Sequence, residues 1–308
     1  MRFSCWLGPF LVLFVAVSAS AQSRDIVVEA TMRTEKRLAL VIGNAAYRSS
    51  PLPNPVNDAR AITTTLKGAG FEVMTYENLD RSAMRRAIIL FGDRLRGGGV
   101  GFFYFAGHGV QVSGRNYLVP VDASIHSEAE VEVEAVDVAS VLARMDTAQN
   151  RVNIVVLDAC RNNPFGRGFR SASLGLASID APSETIISYA TAPGRVAADG
   201  EGEHGLYTGE LVKAMQIPGL KIEDVFKRVR ASVQQRSNSQ QVPWESSSLV
   251  GDFLFQLPRI GAPTPPPAPK IEIREEARHE VGSLSRRCVP ALDHGSGRSR
   301  RPGAARSP

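Results

Sequence analysis

Two side chains in this sequence can do covalent chemistry together. Cys160 ends the run "RVNIVVLDAC", and His108 sits between glycines in "FYFAGHG", 52 positions earlier. A cysteine attacks a carbonyl as the thiolate. An imidazole within reach can take its proton and hand it to a leaving amine. The backbone N–H groups of Gly109 and Cys160 are suited to hold the oxyanion that develops. Each residue also has a plainer reading. A free cysteine at a strand end often serves as a small buried hydrophobe, and a histidine in a glycine-rich turn can be purely structural.

The chemistry requires both residues at neighbouring strand tips, and the hydrophobic pattern supplies such strands. "LALVIGN" (38–44), "FEVMTYE" (71–77), "GVGFFYFAG" (99–107), "RVNIVVLDA" (151–159) and "ETIISYATA" (184–192) read as five strands, with a last strand at "LVGDFLFQL" (249–257). Between them, helical spacing predicts helices. One is capped by Asn57 or Asp58 and runs to about Lys67. A second starts at an Asp80 cap and buries Met84, Ala87, Ile88 and Phe91. "DVASVLARM" (137–145) and two stretches near 205–216 and 222–235 follow. "VQVSGRNYLVPVD" (110–122) alternates around Ser-Gly, which predicts a hairpin. Strands alternating with helices imply a mainly parallel sheet covered on both faces, an α/β three-layer αβα sandwich with six strands. Ligand sites in such sheets gather beyond the carboxyl ends of the strands.

The 308 residues carry a formal charge of +5. Residues 259–308 hold 10 basic and 5 acidic residues, and the other 258 hold 26 of each. The basic character therefore belongs to the tail and gives no reason to expect nucleic acid as a partner of the folded part. Residues 1–21 read as a cleavable secretory signal: Arg2, the apolar run "LGPFLVLFVAV", then "ASA" before Gln22. That predicts a periplasmic or secreted protein with no membrane span after processing. Residues 22–36 read as a flexible lead-in, 258–270 as a proline-rich linker and 271–308 as a basic low-complexity tail. Cys5, Cys160 and Cys288 are the only cysteines. The surroundings of Cys288 offer no framework for a disulfide. His126, His204, His279 and His294 show no zinc-like spacing, so no metal or organic cofactor is expected from these residues.

Four motifs in order carry a resemblance: the first strand with "VNDAR", then "YFAGHG", "DACRN" and "SYATAPG". The caspase signature places a histidine about 50 residues upstream of an Ala-Cys pair. Residues 37–257 resemble the bacterial caspase-like peptidases related to metacaspases, often called orthocaspases. The resemblance implies a cysteine endopeptidase with Cys160 as nucleophile, His108 as its partner, and a peptide or protein as substrate. Caspases cut after Asp with a basic pocket. At the matching positions this chain has Asp158 and Asp199, and Ala190 falls on the strand lining the groove. Two carboxylates there favour Arg or Lys and repel Asp, with Arg able to pair bidentately. Asp158 could instead cap a turn or hold local amides, and Asp199 lies in an acidic glycine-rich loop where an acid is often solvated.

Weaker signals complete the reading. Asn57 and Asp58 match the family's Asn-Asp-Ala pattern, and a helix cap accounts for them. The acidic run "HSEAEVEVEAVD" (126–137) reads as a solvated edge, with calcium as an activator the weaker alternative. Trp244 is expected to pack. The basic loop after Cys160, with Arg161, Arg167 and Arg170, offers self-processing sites or a surface loop. Rival readings are a catalytically silent scaffold acting as a periplasmic adaptor, and a thiol esterase on a similar sheet.

Overall fold

The computed structural model describes residues 34–160, 176–192 and 202–258. The leader, the linker, the tail, Asp199 and the basic loop with Arg161, Arg167 and Arg170 lie outside them. Among the described residues, eight strands and six helices form an α/β fold. The strands are β1 (Arg37–Gly43), β2 (Glu72–Glu77), β3 (Val100–Val112), β4 (Arg115–Leu118), β5 (Val136–Asp137), β6 (Val152–Cys160), β7 (Thr185–Tyr189) and β8 (Trp244–Ser247). The helices are α1 (Pro55–Gly68), α2 (Arg81–Leu95), α3 (Glu128–Glu134), α4 (Val138–Thr147), α5 (Leu206–Met215) and α6 (Ile222–Arg236).

The main sheet runs β2-β1-β3-β6-β7-β8. Its first five strands are parallel, and β8 joins antiparallel to β7. The central strands are apolar on both faces because both faces are covered. On one side, α1, α5 and α6 bury Ile62, Leu211, Phe226 and Val229 against Phe102, Tyr104 and Ile154. On the other, α2 and α4 bury Met84, Phe91, Val141 and Met145 against Leu40, Phe103 and Val155. This is the expected three-layer αβα sandwich.

β3 outruns the main sheet and folds back as the predicted hairpin with β4. Ser113 and Gly114 form its two-residue turn, both with positive φ (51° and 77°), as a type I′ turn requires. Asp80 caps α2 by accepting from Ala83 N at 2.7 Å, and Met84, Ala87, Ile88 and Phe91 are buried, as expected.

Two expectations change. The last strand is not 249–257 but the polar segment Trp244–Ser247. Of 249–257, only Leu254 makes a β-bridge, to Lys221, and Phe253 and Phe255 instead stack edge-on under Phe71 and Phe102. The first helix is not capped by Asn57 or Asp58. It begins at Pro55, and Asp58 N already makes the helical bond to Asn54 O at 2.9 Å. Among the described residues no helix is long and apolar enough to cross a membrane.

Candidate active site

His108 lies where β3 leaves the main sheet. Its in-register partner on β6 is Cys160, the last pair of the β3–β6 ladder. Parallel partners stand about 4.8 Å apart and occupy the same face, so the fold brings together the two positions that the sequence separates by 52. Asp158 precedes Cys160 by two residues and is in register with Ala106 on β3.

The imidazole is 4 % exposed and held from the loop between β1 and α1. Its Nε2 is 2.7 Å from the carbonyl oxygen of Ser50, a residue with a positive φ of 64°. A carbonyl only accepts, so Nε2 carries the proton and in the neutral ring the lone pair is on Nδ1. The Tyr47 ring lies against the imidazole, with centroids 4.4 Å apart. Tyr47 Oη accepts from His108 N at 2.9 Å and donates to Val119 O at 3.0 Å. Val119 N donates to His108 O at 3.0 Å. The hydroxyl thus bridges one half of a ladder pair and keeps both buried groups satisfied. Gly107 is required here, because a Cβ would stand 2.5 Å from Tyr47 Oη. Asn44, fully buried, holds the same loop by accepting from Leu79 N at 2.9 Å and donating to Val119 O at 3.2 Å.

Gly109 pairs with Leu118. Since His108 and Val119 are the bonded pair, Gly109 and Leu118 form the non-bonded one, and the Gly109 N–H turns away from β4. Leu176 packs here too: a Cβ on Gly109 would meet Ala159 Cβ at 2.8 Å and Leu176 Cδ2 at 3.1 Å. Asn116 clamps the Leu176 segment by donating to Ala177 O at 2.8 Å and accepting from Ala177 N at 2.7 Å.

The Asp158 carboxylate reaches across to α5: its Oδ2 accepts from Thr208 Oγ1 at 2.6 Å, and Thr208 Oγ1 is 2.6 Å from Tyr104 Oη. Asp58 is the residue that sequence reasoning missed. Its carboxylate is buried and accepts from Gly205 N at 3.1 and 3.3 Å. Asp58 and Asp158 converge on Gly205, where a Cβ would be 3.1 Å from Asp58 Oδ2 and 3.6 Å from Asp158 Oδ2. Their joint field reaches Tyr104. Burial first, then the charges of Asp158 and Asp58, hold its phenol well above the ordinary value. Tyr207 is raised as well, mainly by burial, while its hydroxyl pairs with Ser188 Oγ at 2.7 Å. The "VNDAR" match was the available signal for Asp58, and the cap explanation absorbed it.

Ala190 is fully buried, with its N–H on Leu157 O at 3.1 Å and its carbonyl accepting from Gln241 Nε2 at 2.9 Å. The substrate contact expected there has no exposed surface in this conformation. Trp244, expected to pack, is 47 % exposed at the start of β8. The adjacent Glu245 pairs with Arg230 on α6, which also donates to Pro243 O at 3.0 Å. Glu132 pairs with Arg115, Glu134 with Arg81 and Glu130 with His126, and among the described residues no three potential ligands converge.

Comparison with known proteins agrees with this architecture. A profile of the caspase domain matches residues 36–254. The human mucosa-associated lymphoid tissue lymphoma translocation protein 1 is 30 % identical over 182 residues, which are 58 % of this chain and 21 % of that protein. Its mouse homolog is 29 % identical over the same shares. The chain thus matches about a fifth of the length of these relatives, and the profile match over most of its own length places it in the caspase-domain family.

Proposed function

We propose that the chain is a cysteine endopeptidase that cleaves after Arg or Lys. The supporting observation is the ladder pairing of His108 with Cys160, with the imidazole's Nε2 committed to Ser50 O. In this reading the Cys160 thiol gives its proton to His108 Nδ1 and the sulfur attacks the scissile carbonyl carbon. The carbonyl π electrons move to oxygen, held by the N–H groups of Gly109 and Cys160. Collapse breaks the C–N bond, and His108 delivers the proton to the leaving amine. Water then attacks the thioester carbon as His108 takes its proton; collapse breaks the C–S bond, the acid product leaves, and the proton returns from His108 to the Cys160 sulfur.

Specificity is assigned to the recess around Gly205. The Asp58 and Asp158 carboxylates converge there, with Asp199 as a third acid on the family alignment. Two carboxylates in a shielded place favour a substrate cation and disfavour Asp. The leader in residues 1–21 is taken as an export signal, which N-terminal sequencing of the mature protein tests.

Matched fluorogenic peptides ending in Arg, Lys or Asp provide the test of activity and preference. The expected result is turnover of the Arg and Lys peptides, none of the Asp peptide, and none of any by a folded Cys160→Ala variant. Preference for Asp, or turnover without Cys160, overturns the reading.

A further inference from the structure

The layer formed by α2 and α4 holds a cleft that the candidate chemistry does not use. It has a volume of about 300 Å³ and is closed at one end by α3 and β5. Its apolar lining includes Ile88 and Val136, both buried, and Ile89, which is 44 % exposed. Val133 on α3 is 60 % exposed. Its carbonyl accepts from Arg81, one turn before Arg85 on α2, so a second exposed apolar residue adjoins the same helix. Exposed apolar side chains gathered at a cleft mark a binding surface, whereas scattered ones do not.

Two arginines flank this lining, Arg85 from α2 and Arg144 from α4. Among the described residues neither guanidinium has an ion pair or a side-chain hydrogen bond. The acids of the cleft are already taken. Glu132 and Asp137 both pair with Arg115. Glu132 also accepts from Tyr117 Oη at 3.1 Å, and Asp137 caps α4 by accepting from Ala139 N at 2.9 Å. Arg144 is moreover partly fixed. Its stem lies on Gly92 of α2, where a Cβ would stand 3.0 Å from Arg144 Cβ and Cδ. That ordering precedes any ligand and lowers the entropy that binding must overcome.

We propose that this cleft docks an acidic peptide segment of a partner protein. An aliphatic or aromatic side chain of the segment seats on Ile88, Ile89 and Val136, and its neighbouring carboxylates pair with Arg85 and Arg144. A guanidinium fork matches a carboxylate two bonds at a time, and an apolar anchor beside charged partners is how peptide sites combine affinity with selection. A lipid surface fits less well, because the Glu132 side chain, 63 % exposed, would meet a continuous sheet of negative charge. The cleft shares no lining residue with the candidate active site, and the proposal does not rest on the cleavage chemistry.

The experiment follows the fluorescence anisotropy of a fluorescein-labelled peptide, Gly-Glu-Glu-Leu-Phe-Glu-Glu-Gly, titrated with the full chain. The peptide has no Arg, Lys or Asp, so neither cleavage preference weighed above brings it to Cys160. The parent is expected to bind it, with affinity falling about tenfold between about 50 and about 300 mM salt. Exchanging its Glu for Gln, or Leu-Phe for Ala-Ala, should weaken binding at least about fivefold. Arg85→Glu should weaken it about tenfold, and since Arg85 is exposed the change spares the fold. Arg144→Gln should weaken it similarly when compared at equal folded fraction. Arg86→Glu, on the same helix but with its side chain donating to Ser82 Oγ, should bind as the parent does. Absence of binding by the folded parent overturns the proposal. Binding that survives both Arg85→Glu and Arg144→Gln overturns it too, by assigning the peptide to another basic surface such as the tail. Self-association of the parent in sedimentation, lost in Arg85→Glu and unaccompanied by peptide binding, gives the cleft to a second copy and likewise overturns it.

Discussion

At His108 the geometry depends on residues without chemistry of their own. Ser50 contributes a carbonyl, and Tyr47 a hydroxyl that completes a broken ladder pair. Tyr47→Phe removes that hydroxyl and leaves His108 N and Val119 O buried without it. The expected cost is about 1–2 kcal/mol of stability, together with about a tenfold loss of kcat at unchanged KM as the imidazole loses its fixed seat. Equilibrium denaturation and steady-state kinetics check both, and an unchanged kcat would free His108 from Tyr47. The sequence made His108 and its glycines legible because "AGHG" is unusual in a strand. It could not reveal Tyr47 or Ser50, which act through a loop whose path only the tertiary structure defines. Asp58 was misread for a related reason. An acid in the first turn of a helix already has a local explanation, and its real partner, Gly205, is 147 residues away.

Among the elements, the pairing of β3 with β6 carries the candidate site. Both were legible as unbroken apolar runs with chemistry at their ends. β8 was not, because "WESS" is a polar edge strand, whereas the more apolar 249–257 spends its phenylalanines on packing under the sheet rather than on a ladder. The closeness of β3 and β6 has a testable consequence at Gly109. Gly109→Ala forces its new methyl onto Ala159 Cβ, and overpacking of this kind costs about 1–3 kcal/mol. The companion change Ala159→Gly should recover most of that loss. Denaturant midpoints of the two single variants and the double variant measure it, and additivity of the single effects would contradict the contact.

At the scale of the whole sheet, the candidate site and a buried charge cluster occupy opposite ends of the strands. At the strand N-termini, buried Arg37 pairs with Glu35 and donates to Ala69 O at 3.0 Å. Its guanidinium lies 5.1 Å from the Phe253 ring and 5.7 Å from that of Phe71. Arg151 also reaches Glu35, at 2.7 Å. Arg37→Ala should therefore cost about 2–3 kcal/mol while leaving the proposed Arg-over-Asp preference of the folded protein intact. A changed preference would show that the two ends are coupled. The composition announced a large core, but an arginine on the first strand gave no sign of being buried under two aromatic rings. The most direct test of the Cys160–His108 partnership is covalent trapping with a peptidyl-arginine chloromethyl ketone, followed by mass-spectrometric mapping of the modified residue. The expected result is a single adduct on Cys160, formed at least about a hundredfold more slowly in His108→Ala. An adduct elsewhere, or one on Cys160 that forms equally fast without His108, would contradict that partnership.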